Sequence, residues 1–440
     1  MKYTGVIVTC LSLGLALATG IAVEAAIPGI QGTTFNLVSG EGYISTGDGL
    51  QLLIWGYGAV GDPSQYPGPT LIVQEGAVIT VNLTNDLNQS TSIVFPGQMG
   101  VIATGGTPGV MTREAAPGGT VSYQFTATRP GTYMYHSGTE PDLQVELGLV
   151  GALIVRPAAG PGLAYNHPDS AYDREYLFLL TEMDVDVHQK AALGLWNQID
   201  LNEYWPVYWF INGRNAPDTM ASAYAQWLPH QPYNSMVRMH PGEKVLLRLI
   251  GAGREPHPFH THGNHVRVIA KDGVLQRSAG AAGIDLAELH FTCTVYPGGT
   301  ADGLFEWTGA QLGWDIYGHQ HDLDLDPVGD FPGPEDIDHN GNGLMDVVPL
   351  EPEEDPAEHG RPFPVLLPDA KDLAFGATYS GSPYLGTFGY LPPGQGGFNL
   401  NAGYFYMWHS HSEKEMTNYD IFPGGLMTML IVEPPDVYIP

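Results

Sequence analysis

An all-β protein of two Greek-key β-sandwiches is what the sequence predicts, with a long acidic insertion in the second. Three observations carry this. Short runs of alternating apolar and polar residues, the mark of half-buried strands, recur between Gly- and Pro-rich turns. The 440 residues include 57 Gly, 36 Pro and 23 Tyr, a balance of turn formers and β-favouring aromatics that fits a turn-rich β protein. Two phrases also occur twice: "GALIVRPA" is echoed by "MTMLIVEPP", and "GTYMYHSG" by "GYFYMWHSH", a weak internal repeat of one fold.

Taken in order, Lys2, an apolar run over about residues 5–23 and the small residues ending at Ala26 form a secretory signal, residues 1–26, and imply a secreted or periplasmic destination. An uncleaved membrane anchor is the alternative, but the run is borderline in length for a span and contains several Gly and Thr. A lipid anchor on Cys10 is a weaker one, with Thr immediately before the Cys. No other segment is apolar enough to span a membrane once the signal is removed. The first β unit covers residues 33–157: "TLIVQEGAVITVNLTN" alternates around a Gly turn, "GTVSYQFTATRPGTYMYHSG" is a second strand–turn–strand, and "GLVGALIVRP" closes it. Residues 158–173 form a Pro/Gly-rich linker. The second unit, residues 174–435, contains "REYLFLLTEMDVD", "EKVLLRLIGAG" and "HVRVIAKDG". It is interrupted over about residues 309–400 by a stretch rich in Asp, Glu, Pro and Gly and poor in strand signals.

Composition excludes some functions. Forty-seven acidic against 17 basic residues give a formal net charge of −30, which argues against nucleic acid and anionic membrane surfaces as partners. Only Cys10 and Cys293 occur, so the mature chain has no internal disulfide. Cys293, in the strand-like "LHFTCTV", fits a small buried core residue. No Gly-x-Ser-x-Gly elbow or phosphate-cradling Gly loop is present.

The histidines are the most specific signal. In "EPHPFHTHGNHVRVIA" (Glu255 to Ala270), His260 and His262 alternate on a strand and face one side, with His257 on the other face. In "YMWHSHSEKE", His409 and His411 share a face and Ser410 points away. A lone histidine is more often a hydrogen-bonded core or surface residue; four within nine residues favour a metal, and imidazole is a ligand copper prefers.

"HPFHTHG" followed far downstream by "HSH" resembles the multicopper oxidase family, which is built of cupredoxin domains, and "YPGPTLIVQEGAVITVNLTN", "FINGR" and "GEKVLLRLIGAG" resemble that family's framework. Two units rather than three make the chain similar to two-domain members, which implies a homotrimer with metal sites shared between subunits and a small-molecule or metal-ion substrate. The resemblance implies His257 as a type 1 copper ligand, His260 as a type 2 ligand, and His262, His409, His411 and His136 as type 3 ligands. It also shows departures. Gly138 stands for a second histidine beside His136, Val94 and Pro96 stand for two more, Ser410 for the type 1 cysteine, and Glu415 for the second type 1 histidine. A serine hydroxyl does not replace a thiolate in a type 1 site, and the family's cysteine also links that copper to the oxygen-reducing cluster. Oxygen reduction fed by a remote substrate is therefore not expected.

In the insertion, "DIDHNGNGLMD" places hard oxygen donors at Asp336, Asp338, Asn340, Asn342 and Asp346, with Gly341 and Gly343 for the turn, and predicts a structural calcium loop; a plain acidic turn is the bland alternative. His319 and His321 in "GHQHD" share the alternation and fit surface residues, with an extra metal site as the alternative. Three functions compete: a copper oxidoreductase altered at type 1, a non-catalytic copper carrier or buffer, and a structural surface protein that kept the fold.

Overall fold

The computed structural model describes residues 27–240, 242–307, 404–433 and 438–439. The signal segment, the calcium loop, and His319 and His321 lie outside the described residues.

Two β-sandwiches follow one another along the chain. In the first, the outer sheet runs in the order Gln51–Ala59, Thr34–Ser45, Val78–Asn85, Thr120–Thr126, Ile102–Gly105. The inner sheet runs Ile30–Gln31, Gly68–Gln74, Val150–Arg156, Gly131–His136. In the second, the inner sheet is built on Tyr208–Ile211, Arg174–Met183, Lys244–Gly251, Thr300–Glu306 and Val266–Lys271. Its outer sheet runs Val237–Met239, Met427–Val432, Tyr404–Ser410, His257–Thr261, Thr292–Val295.

The strand sequences explain this layering. Outer strands such as Val78–Asn85 alternate buried with half-exposed residues, because one face meets water. The inner strands read as unbroken apolar runs because both faces are covered. Leu71, Val73, Leu153 and Val155 point into the first sandwich's own core, whereas Ile72, Ala152 and Ile154 meet Leu177, Leu179, Phe210 and Ile250 of the second sandwich. Leu180, Leu247 and Leu249 turn the other way, into the second core with Phe259 and Trp408. The two sandwiches therefore share an apolar interface, a layered solution to burying two-sided strands.

A polar cluster fixes their relative register. The fully buried Arg248 donates from Nε to Glu175 Oε2 at 2.9 Å, and Arg156 of the first sandwich pairs with the same carboxylate. Thr132 of the first sandwich donates to Asp302 Oδ1 at 2.5 Å, and Arg248 stands 3.6 Å from that oxygen. Buried charges persist where each is paired and hydrogen-bonded, as these are. The Pro/Gly-rich linker is folded onto the second sandwich rather than loose: Ala164, Tyr165 and Ser170 are buried, and Ala164 and Tyr165 pack with Leu246 and Ile269.

A candidate metal centre

All but one of the candidate copper histidines lie on or next to the outer sheet of the second sandwich. His257–Thr261 pairs antiparallel with Tyr404–Ser410, placing Phe259 opposite Ser410 and His260 opposite His409. Alternate residues His257, Phe259 and Thr261 are buried, while Pro258 and His260 are on the half-exposed face. The strand ends at Thr261, so His262 sits just beyond it at the turn, where Trp408 Nε1 donates to its carbonyl at 2.9 Å. His411 lies just beyond the partner strand and is held by its backbone N–H donating to Pro258 O at 2.8 Å.

This register gathers imidazoles. One ligand nitrogen each of His260, His262 and His409 lie within 4.8 Å of one another, the only such group of three metal-ligating side chains among the described residues. The His262 and His409 Nε2 atoms face each other at 3.1 Å. The exposed His411 ring adjoins them, its centroid 4.8 Å from that of His260 and 5.8 Å from that of His409. His409 Nδ1 donates to Ser410 O at 2.6 Å, which puts the ring's lone pair on Nε2, facing His262, and His260 Nδ1 pairs with the Thr292 hydroxyl at 2.8 Å. Tying one ring nitrogen to a second group is how ligating imidazoles are oriented. The buried His262 Nδ1 has no hydrogen-bond partner among the described residues.

Electrostatics point the same way. Burial first, then repulsion from neighbouring imidazoles, lowers His260 and His262 to about 4. Burial also lowers His409, against the opposing effect of its bond to Ser410. Three neutral, converging imidazoles with an orphaned buried nitrogen are a donor set suited to a soft or borderline transition metal, copper among them.

His136 is at the end of a strand of the first sandwich, outside this group. Its Nδ1 donates to Ser137 O at 2.9 Å, the same tie that His409 makes, and burial lowers its pKa. Val94 pairs with it across an isolated bridge, and a side chain built on Gly138 would meet Val94 Cγ1 at 2.7 Å. The residues standing in two histidine positions thus fill one another's space.

His257 has a different setting from the other histidines. It is fully buried and donates from Nδ1 to Glu415 Oε2 at 3.0 Å and from Nε2 to Glu182 Oε2 at 2.9 Å. Burial alone would lower its pKa, but the two carboxylates outweigh burial and raise it to about 9. Both nitrogens are therefore protonated and engaged, which leaves no lone pair for a metal. Ser410 is fully buried, its hydroxyl accepting from Ser412 N at 3.1 Å. Cys293 faces Phe259 in the core, and burial pushes its thiol up to about 12. Glu182 was missed by sequence reasoning. Its one signal was an acid inside the apolar run "LFLLTEM", a position that requires a buried partner.

These features define a cupredoxin-fold protein with a cluster of three histidines that could hold a metal ion. Comparison with known proteins agrees. Residues 59–160 match the family model described as multicopper oxidase. A copper resistance protein A of Escherichia coli is 34% identical over 154 residues, 35% of this chain and 23% of that protein. A copper resistance protein A homolog of Pseudomonas syringae pv. tomato is 25% identical over 276 residues, 56% of this chain and 44% of that one. An iron transport multicopper oxidase of Epichloe festucae is 29% identical over 229 residues, 50% of this chain and 32% of that one. The chain thus spans less than half the length of these curated relatives. Among solved structures, the blue copper oxidase of Nitrosomonas europaea superposes with a TM-score of 0.55 at 18% identity, covering 92% of this chain and 91% of that one. The chain thus resembles the multicopper oxidase family through residues 59–160 and shares the cupredoxin β-sandwich fold of the solved multicopper oxidases.

Proposed function

We propose that this is an exported copper-binding oxidoreductase of the multicopper oxidase type that works without a type 1 copper. The observation that carries the reading is the convergence of His260, His262 and His409, with His411 adjoining. His260, His262 and His409, whose pKa values burial lowers, would hold copper. Copper bound there supplies one-electron redox chemistry to a small reductant that approaches directly, because Ser410 and the engaged His257 provide no remote electron entry. What the chain's own residues do is orient the ligands: Ser410 O and Thr292 fix two rings, and the strand pairing fixes their spacing. His136 joins the centre in this reading from a neighbouring subunit of a homotrimer, and Asp336, Asp338, Asn340, Asn342 and Asp346 of the acidic insertion bind calcium.

The test is oxygen consumption by the copper-loaded protein with small reductants, beside its metal content. One or more coppers with turnover supports the oxidoreductase. Copper without turnover overturns the catalytic half and leaves a copper carrier or buffer. No copper above background overturns both.

A further inference from the structure

Glu182, His257 and Glu415 come from three separate elements. Glu182 is on the inner sheet, in the strand Arg174–Met183. His257 opens the ligand strand His257–Thr261. Glu415 is in the single 3-10 turn Glu413–Met416, directly after the strand that carries His409. The three side chains are sealed from solvent. Glu182 Oε1 also accepts the backbone N–H groups of Arg254 and Glu255, at 2.5 and 3.0 Å, so one carboxylate fixes both the entry to the ligand strand and its first residue. Space around it is tailored: a Cβ on Gly253 would lie 1.8 Å from Glu182 Oε2. The Glu415 backbone is held as closely, its carbonyl accepting from Leu426 N at 2.7 Å and meeting a Cβ on Gly425 at 2.0 Å.

We propose that Glu182, His257 and Glu415 are positioning residues for the metal centre: an imidazolium clamped between two carboxylates pins both ligand strands to the inner sheet. The proposal rests on the copper reading for its purpose, though not for its geometry. The ligand strands are already paired through Phe259–Ser410 and His260–His409, and the clamp sits at the end of that pairing where the chain leaves for His411. A buried cation, His257, thus stands where the resemblance implies one type 1 histidine, and it is held by Glu182 and by Glu415, which stands for the second. Among the described residues, the other charged and titratable groups near this cluster include Glu255, Lys414, Tyr204, Glu146 and Arg254, whose guanidinium lies 4.3 Å from the Tyr204 ring centroid. Tyr204 donates to Glu146 Oε2 at 2.8 Å and lies 3.3 Å from Glu182 Oε1, bracing the inner carboxylate.

The test uses the full chain with Glu415→Gln and, separately, Glu182→Gln, which keep shape but remove one charge from the clamp. Two readouts are taken: amide hydrogen exchange of the metal-free protein, and Cu(II) affinity by chelator competition with the electron paramagnetic resonance spectrum of the bound ion. The expected result is faster exchange confined to residues 404–416 and the 255–262 strand. Copper affinity falls on the order of tenfold, as for other groups that orient metal ligands, and the spectrum changes while stoichiometry at saturating copper is kept. Unchanged exchange together with unchanged affinity and spectrum overturns the proposal. Faster exchange with unchanged affinity and spectrum overturns it too, by making the clamp merely structural. If the wild type takes no copper, the copper reading fails on that count, and exchange alone decides whether the clamp orders the ligand strands. If neither variant folds, 15N histidine spectra of the wild type decide it: His257 with both nitrogens protonated at neutral pH is expected, and a neutral ring there overturns the clamp.

Discussion

His257 and His260 stand three residues apart on one strand, and their surroundings make them opposites. His260 is half-exposed, among other imidazoles, and is lowered to about 4. His257 is sealed between two carboxylates and raised to about 9. Strand alternation puts them on different faces, and the neighbours on each face decide the proton. The lesson is that the residue type marks a face as polar, while the partner charges decide whether it holds a metal or a proton. The first face gathers lone pairs; the second already contains its cation.

The largest effect on stability should come from breaking the second face. Glu182→Ala removes one partner of a buried ion pair and an acceptor for two backbone N–H groups, which should cost roughly 3–5 kcal/mol in chemical denaturation of the metal-free protein. A loss below about 1 kcal/mol would mean the pair is not buried and charged as described.

A smaller effect should follow from pH. The folded pKa of His257 is raised above its unfolded value of about 6.5, so its contribution to stability is complete below about 6.5 and is lost as pH rises through about 9. A denaturation midpoint that declines over this window in the wild type but not in His257→Gln is expected; parallel declines in both would assign the effect elsewhere. The first face predicts a different pH response. Because burial and mutual repulsion lower His260 and His262 to about 4, copper should remain bound at pH 5 and be released as pH falls below about 4, read by metal content after buffer exchange. Release centred near 6.5 would contradict the neutral, preorganised cluster.

The smallest change should come from restoring one missing residue. Ser410→Cys places a thiol in a buried site but loses the bond from Ser412 N, a cost of about 1 kcal/mol. With His257 still clamped by Glu182 and Glu415, no intense blue thiolate–copper absorption should develop. Its appearance would show that His257 is free to bind a metal.

Much of this was legible in the sequence. Alternation in "HPFHTHG" and "HSH" placed His260 and His409 on one face and His257 on the other, because the strand period is a local property. The repeated strand endings likewise anticipated two sandwiches. What stayed hidden depends on long-range pairing. Glu182 is 75 residues from His257, and Glu415 is 158, so no local pattern announces their meeting. The linker's Tyr165 finds Asp302 across 137 residues, which turns a Pro/Gly-rich stretch into packed structure. His136 shows the converse: its motif is clear, but its sheet belongs to the other sandwich, and local sequence carries no information on what approaches it.

The central claim is that the first face is a copper centre. Its most direct test is metal content by mass spectrometry after copper loading and removal of excess metal, comparing wild type with His260→Ala/His409→Ala. One or more coppers per chain in the wild type, lost in the double variant while the fold's circular dichroism is kept, is the predicted result. Equal copper in the two proteins, or none above background in the wild type, would contradict it.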